Sequence, residues 1–181
     1  MADLRVDAAP PEEARGLLRS CCASSRWVDR MVGRHPFGSL ETLLDAARAE
    51  WFALTPADWQ EAFDAHPRIG DLSSLRARFA GTRHLAAQEQ SGVDGARADV
   101  LAALAEGNAA YEHKFGRIFI VCATGLTAEE MLARLRARLT NDPGIEIAIA
   151  AEEQARITEL RLTQLSETSK FQPPTSNPDC W

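Results

Sequence analysis

The segment of this chain best suited to acid–base work is His66-Pro67-Arg68-Ile69-Gly70-Asp71. Proline disfavours the helical region for the residue before it, so His66 must leave any helix that precedes it, and Gly70 permits a turn soon after. The negative end of a helix favours a protonated ring, and free histidine titrates at about 6.5, so His66 is expected to give up a proton near neutral pH. The competing reading is a capping histidine that only satisfies helix carbonyls. A second polar cluster, Gln88-Glu89-Gln90-Ser91-Gly92, follows the apolar Leu85-Ala86-Ala87. A carboxylate accepts from N–H and O–H groups while glutamine both gives and accepts, which suits a small polar heterocycle; a solvated helix face ending at Gly92 has the same letters. The third segment, Tyr111-Glu112-His113-Lys114-Phe115-Gly116-Arg117-Ile118-Phe119-Ile120-Val121-Cys122-Ala123, sets a glycine just ahead of an apolar run. Close backbone approach at that glycine would present main-chain groups to a ligand edge, and core packing around a kink is the alternative. His35, His84 and His113 read as surface or packing histidines.

These segments need elements to carry them, and the local preferences are helical. Alanine, leucine, arginine and glutamate dominate, and sustained period-2 alternation is hard to find. Thr55-Pro56-Ala57-Asp58 starts a helix predicted over 56–65, which delivers His66 at its end. Thr127-Ala128-Glu129-Glu130 starts another over 128–139, and Ser39 caps one running to Trp51. An alanine-rich helix is expected from about Asp94 to Ala110, continuing toward Phe115. Residues 118–121 fit strand or buried helix by local preference; with no partner strands in view, an irregular or helical core segment is expected. After Asn141-Asp142-Pro143-Gly144 a long closing helix is predicted over 145–165. The expected fold is all-α, a single-domain compact multi-helix bundle over 1–165. Residues 166–181, with three prolines and few apolar side chains, are expected to form a flexible tail.

Composition narrows the function classes. A formal charge of -6 gives no general attraction for a polyanion and argues against nucleic acid as the main partner. The longest apolar run, 118–123, is far short of the roughly 20 residues that span a bilayer, so no membrane partner is expected. Cys21, Cys22, Cys122 and Cys180 show no C-x-x-C spacing and read as structural thiols in a reducing compartment. With no basic-then-apolar start, a cytoplasmic location is expected.

Taken jointly and in order, His66 to Asp71, Glu89-Gln90-Ser91-Gly92 and Lys114-Phe115-Gly116 with Phe119 to Ala123 resemble the signature of the 2-oxo-4-hydroxy-4-carboxy-5-ureidoimidazoline (OHCU) decarboxylases of urate breakdown. Arg34-His35-Pro36-Phe37, Leu54-Thr55, Leu135 to Asn141 and the Leu160-Arg161-Leu162 core of Ile157 to Leu165 are also similar, so the resemblance covers roughly residues 12–165. It implies a cofactor-independent, metal-free carboxy-lyase that acts on OHCU as a homodimer. It implies His66 as the catalytic acid/base and Glu89 as its essential polar partner. Pro67, Ala86, Ala87, Gln88 and Gln90 would line the pocket. Phe119, Ile120, Val121, Cys122 and Ala123 would supply apolar walls and main-chain hydrogen bonds, and Arg161 a substrate contact, with Arg138 as its rival. Family members commonly have a serine three residues before the glutamate, where this chain has Ala86.

The implied chemistry suits these residue types. OHCU carries a carboxylate and a hydroxyl on one ring carbon beside a ring C=N group, which accepts the electrons released when CO2 leaves. The substrate holds its own electron sink, so the usual contribution of a decarboxylase cofactor is not needed. His66 would then serve as proton donor while Glu89 and Gln90 fix the hydroxyl and ureido groups, giving (S)-allantoin. Two other readings compete: a helical binding or adaptor module without catalysis, and a metal hydrolase using His66, Glu89 and His84 or His113.

Overall fold

The computed structural model describes residues 4–66 and 92–167, with side chains from 98 to 166 in the second stretch. Among these the elements are α1 (Arg5–Ala8), α2 (Pro11–Cys21), α3 (Ser25–Val32), α4 (Leu40–Phe52), α5 (Pro56–Asp64), α6 (Gly92–Phe115), α7 (Ala128–Arg138) and α8 (Pro143–Glu167). The all-α expectation holds. Start signals act as the sequence suggests: Ser39 accepts from the Thr42 N–H, and Thr55/Asp58 and Thr127/Glu130 close reciprocal capping boxes at α5 and α7. Residues 166 and 167 extend α8, and the rest of the expected tail lies outside the described residues.

Among the described residues, two buried clusters organise the helices. The larger joins α2, α3, α4, α5 and α8 around Trp27, Trp51, Phe63 and Ile157; the smaller lies between α6 and α7 around Leu104, Tyr111, Met131 and Leu135. Indole N–H groups tie the larger cluster together, since a buried tryptophan needs an acceptor. Trp27 donates to the Ala47 carbonyl at 3.0 Å, Trp51 to Ala151 at 2.8 Å and Trp59 to Trp51 at 2.9 Å, so α8 is fixed against α4 and α4 against α3 and α5. Between α6 and α7 the approach is tight at Gly107, where a methyl group would meet Leu135 Cδ2 at 2.6 Å.

Residues 118–123 run between the two clusters outside any helix, with a single bridge at Cys122, so of the irregular and helical readings the first is correct. The pleat explains the letters. Ile118, Ile120 and Cys122 pack with the larger cluster, whereas Phe119, Val121 and Ala123 belong to the smaller. A segment buried on both sides has no polar face, hence the continuous apolar run. Gly116 starts this path at φ 67°, and its N–H bonds the Glu112 carbonyl at 2.9 Å to end α6. Among the described residues a Cβ on Gly116 would meet nothing within 4 Å, so the positive φ is what calls for glycine.

Candidate active site

Helix α5 ends at Asp64, and the His66 N–H bonds back to the Phe63 carbonyl at 3.1 Å, so the imidazole stands just beyond the helix end. The ring is only 8% exposed. Its Nε2 lies 2.6 Å from Gln154 Oε1 on α8. Gln154 Nε2 in turn donates to Thr158 Oγ1 at 3.2 Å, and Thr158 Oγ1 donates to the Gln154 main-chain carbonyl at 3.0 Å. Positions 154, 158 and 161 fall on one stripe of α8 at steps of four and three, which brings the Arg161 guanidinium to the same region. Arg161 Nη1 donates to the Cys21 carbonyl at the end of α2 over 2.9 Å.

This environment corrects one expectation. Burial, with the Arg161 charge adding to it, pushes the His66 ring down to about 4, against an opposing pull from the Gln154 hydrogen bond. The imidazole is therefore neutral at pH 7, because desolvation and a guanidinium outweigh the helix dipole. The same shift makes stability pH-dependent. A ring that binds a proton less readily in the folded chain than in the unfolded one contributes fully above about pH 6.5 and loses its contribution as pH falls toward 4. Denaturant unfolding at stepped pH is expected to show a loss of up to about 3 kcal/mol over that window. His66→Gln should flatten the profile there.

The extended segment is gripped from both sides. On α8 the nearly buried Glu153 accepts the Cys122 N–H at 2.8 Å through Oε2, while its other oxygen takes Arg156 Nη1 at 3.2 Å. On α7 Arg138 Nη1 donates to the Ile120 carbonyl at 2.6 Å. The rest of that guanidinium is occupied: Nε donates to Glu146 Oε1 at 2.7 Å, Nη2 reaches the Tyr111 hydroxyl at 3.2 Å, and the plane sits 4.6 Å from the Phe119 ring centre. Glu146, with no exposed surface, also accepts from Tyr111 Oη and, at 2.7 Å, from Asn141 Nδ2. Burial pushes the Tyr111 hydroxyl above its ordinary value, so it remains a donor.

Of the two rival arginines, Arg138 is thus enclosed in a buried network, and Arg161 is the one whose charge is felt at His66. Phe119, Ile120, Val121 and Ala123 are buried and Cys122 half-buried, with the Cys122 N–H already taken by Glu153. Consecutive residues of α8, Glu153 and Gln154, hold the segment and His66 in fixed relation. Pro67, Ala86, Ala87, Gln88, Glu89 and Gln90 lie outside the described residues, as do His84 and Cys180. Sequence alone does not single out Glu146, Glu153, Gln154 or Thr158, and it marks Tyr111 only as the first residue of the third segment. The signal for α8 was present as polar residues at 154, 158 and 161, yet such a stripe reads equally as a solvated face. Lys114, one of the resembling residues, caps α7 instead, donating to the Leu139 and Asn141 carbonyls at 2.7 and 2.9 Å. His113 is exposed, and His35 Nε2 donates to the Val6 carbonyl at 3.0 Å.

Comparison with known proteins places the chain in a family. The family model for OHCU decarboxylase matches residues 7–163. The uric acid degradation bifunctional protein TTL of Arabidopsis thaliana is 41% identical over 146 residues, which are 80% of this chain and 45% of that protein. This chain therefore spans less than half of that relative. The 2-oxo-4-hydroxy-4-carboxy-5-ureidoimidazoline decarboxylase of Amia calva is 32% identical over 144 residues, 79% of this chain and 78% of that one. A crystal structure of OHCU decarboxylase in the presence of (S)-allantoin superposes with a TM-score of 0.68 at 36% identity, covering 88% of this chain and 100% of that chain. A structure of (S)-allantoin synthase shares the fold, with a TM-score of 0.66 at 20% identity over 91% of this chain and 54% of that one. With the match running through nearly every described element, the chain belongs to the OHCU decarboxylase family.

Proposed function

We propose that this chain is a carboxy-lyase that removes CO2 from OHCU to give (S)-allantoin, using no cofactor and acting in the cytoplasm as a homodimer. The observation that carries the reading is a buried, neutral His66 held by Gln154 beside the Arg161 guanidinium, in a family whose members are decarboxylases. Arg161 attracts and orients the substrate carboxylate. Glu89 and Gln90 accept from and donate to the hydroxyl and ureido groups, with Pro67, Ala86, Ala87, Gln88 and residues 119–123 shaping the walls.

When the carboxylate leaves as CO2, its bonding pair moves between the two ring carbons and the C=N electrons move onto nitrogen, which takes a proton from solvent. The product of that step is an ene-ol. Its hydroxyl proton passes to His66, which returns a proton to the neighbouring carbon from one face, leaving a carbonyl and one stereocentre. One proton is consumed per CO2 released. A neutral imidazole suits this relay, because it must accept before it gives.

The experiment generates OHCU from urate with the two preceding enzymes and follows optical rotation and CO2. Rapid appearance of enantiopure (S)-allantoin is the expected result, unchanged after exhaustive chelation. Racemic product at the unassisted rate would instead favour the binding-module reading. Activity lost on chelation and restored by zinc would favour the metal hydrolase.

A further inference from the structure

A histidine has two ring nitrogens, and the hydrogen bonds around Gln154 decide which carries the proton. Thr158 Oγ1 has one hydrogen and two acceptors for it, the Gln154 main-chain carbonyl at 3.0 Å and the Cys22 sulfur, so toward the Gln154 side chain it accepts. The amide nitrogen therefore faces Thr158, at 3.2 Å, and the amide oxygen faces His66 Nε2, at 2.6 Å. An amide oxygen has no hydrogen to give. In the neutral ring Nε2 thus bears the hydrogen and Nδ1 the lone pair. Gln154 and Thr158 are 1% and 4% exposed, so water does not compete for these groups.

We propose that Gln154 and Thr158 are positioning residues that hold His66 in the Nε2–H tautomer, making Nδ1 the atom that takes up and returns the substrate proton. The role of Nδ1 rests on the decarboxylase reading; the tautomer rests on the hydrogen bonds alone. The charged and titratable groups around the ring are consistent with this order. Arg161 from α8 opposes a second ring proton. From α2, the Cys21 and Cys22 thiols are pushed by burial to about 11 and about 12, so both remain neutral, Cys22 beside Thr158. Glu153 is engaged by the Cys122 N–H and Arg156. Glu89 lies outside the described residues.

The test combines nitrogen-15 NMR of the His66 ring at pH 7, on the full chain, with kinetics of Thr158→Val, Thr158→Ser and Gln154→Glu. The wild type should show a protonated Nε2 and an unprotonated Nδ1. Thr158→Val keeps the shape but frees the amide to turn over; it should give mixed tautomers and about a tenfold fall in kcat with KM little changed, the value of one hydrogen bond of about 1.4 kcal/mol. Thr158→Ser should restore both readouts. Gln154→Glu should stabilise the protonated ring and move the acid limb of the kcat profile toward neutral pH. A protonated Nδ1 in the wild type overturns the proposal, and so does a Thr158→Val enzyme with unchanged tautomer and unchanged kcat. An Nε2–H ring in a chain that does not turn over OHCU upholds the tautomer and overturns the decarboxylase reading instead.

Discussion

His66→Asn is expected to lower kcat for OHCU by about 10²–10⁴-fold, the usual contribution of a positioned proton-transfer group. Asparagine retains a carbonyl and an N–H, so it keeps much of the hydrogen bonding at the end of α5 and can still meet Gln154. It cannot exchange a proton near neutral pH. Binding should therefore survive better than turnover, with KM changed by about threefold or less while kcat collapses. The stereochemistry gives a second readout: optical rotation should fall to the racemic signal of unassisted decay as the enzymatic route is lost. Circular dichroism and thermal unfolding of the variant separate this from misfolding, since a smaller side chain at an 8% exposed position costs some stability as well. Retention of more than about a tenth of the wild-type kcat would move the proton chemistry to another residue.

The helices were legible because their starts are written in short-range chemistry. Thr55 and Thr127 each carry the residue pair that closes a capping box, and Pro56 stands where a missing N–H costs nothing. His66 was legible for a related reason, since Pro67 forces it off α5. What failed was electrostatics: sequence shows the helix end behind His66 but neither the burial around the ring nor Arg161, which is ninety-five positions away in the chain and two turns beyond Gln154 on α8. The alternation in 118–123 was hidden because both faces of that segment are buried, so the pleat leaves no polar residues to mark it. Gln154 and Thr158 were invisible for the opposite reason. Polar residues on a helix stripe mark solvent in most sequences, and only the packing of α8 against α2 and α5 turns this stripe inward.

The network that anchors the extended segment should show the largest loss of stability in the molecule. Arg138→Met removes the guanidinium from a Glu146 carboxylate that has no exposed surface, and breaking a buried pair from one side costs about 3–5 kcal/mol. At roughly 2–4 °C of midpoint per kcal/mol for a chain of this size, thermal unfolding should begin about 10 °C lower. Tyr111 and Asn141 still donate to the orphaned carboxylate, which keeps the loss nearer the lower figure. The double variant Arg138→Met with Glu146→Leu should be less destabilised than Arg138→Met alone, because no buried charge is then left uncompensated. If the two substitutions simply add, the pair is not coupled and the account of the network fails. Function separates the anchoring role from bulk stability. With Nη1 gone the Ile120 carbonyl loses its donor, while Glu153 still holds Cys122, so residues 119–121 should shift and, if they form the proposed substrate wall, KM for OHCU should rise several-fold at a temperature where the variant is fully folded. An unchanged KM there would mean that Arg138 supports the helices without setting the substrate wall.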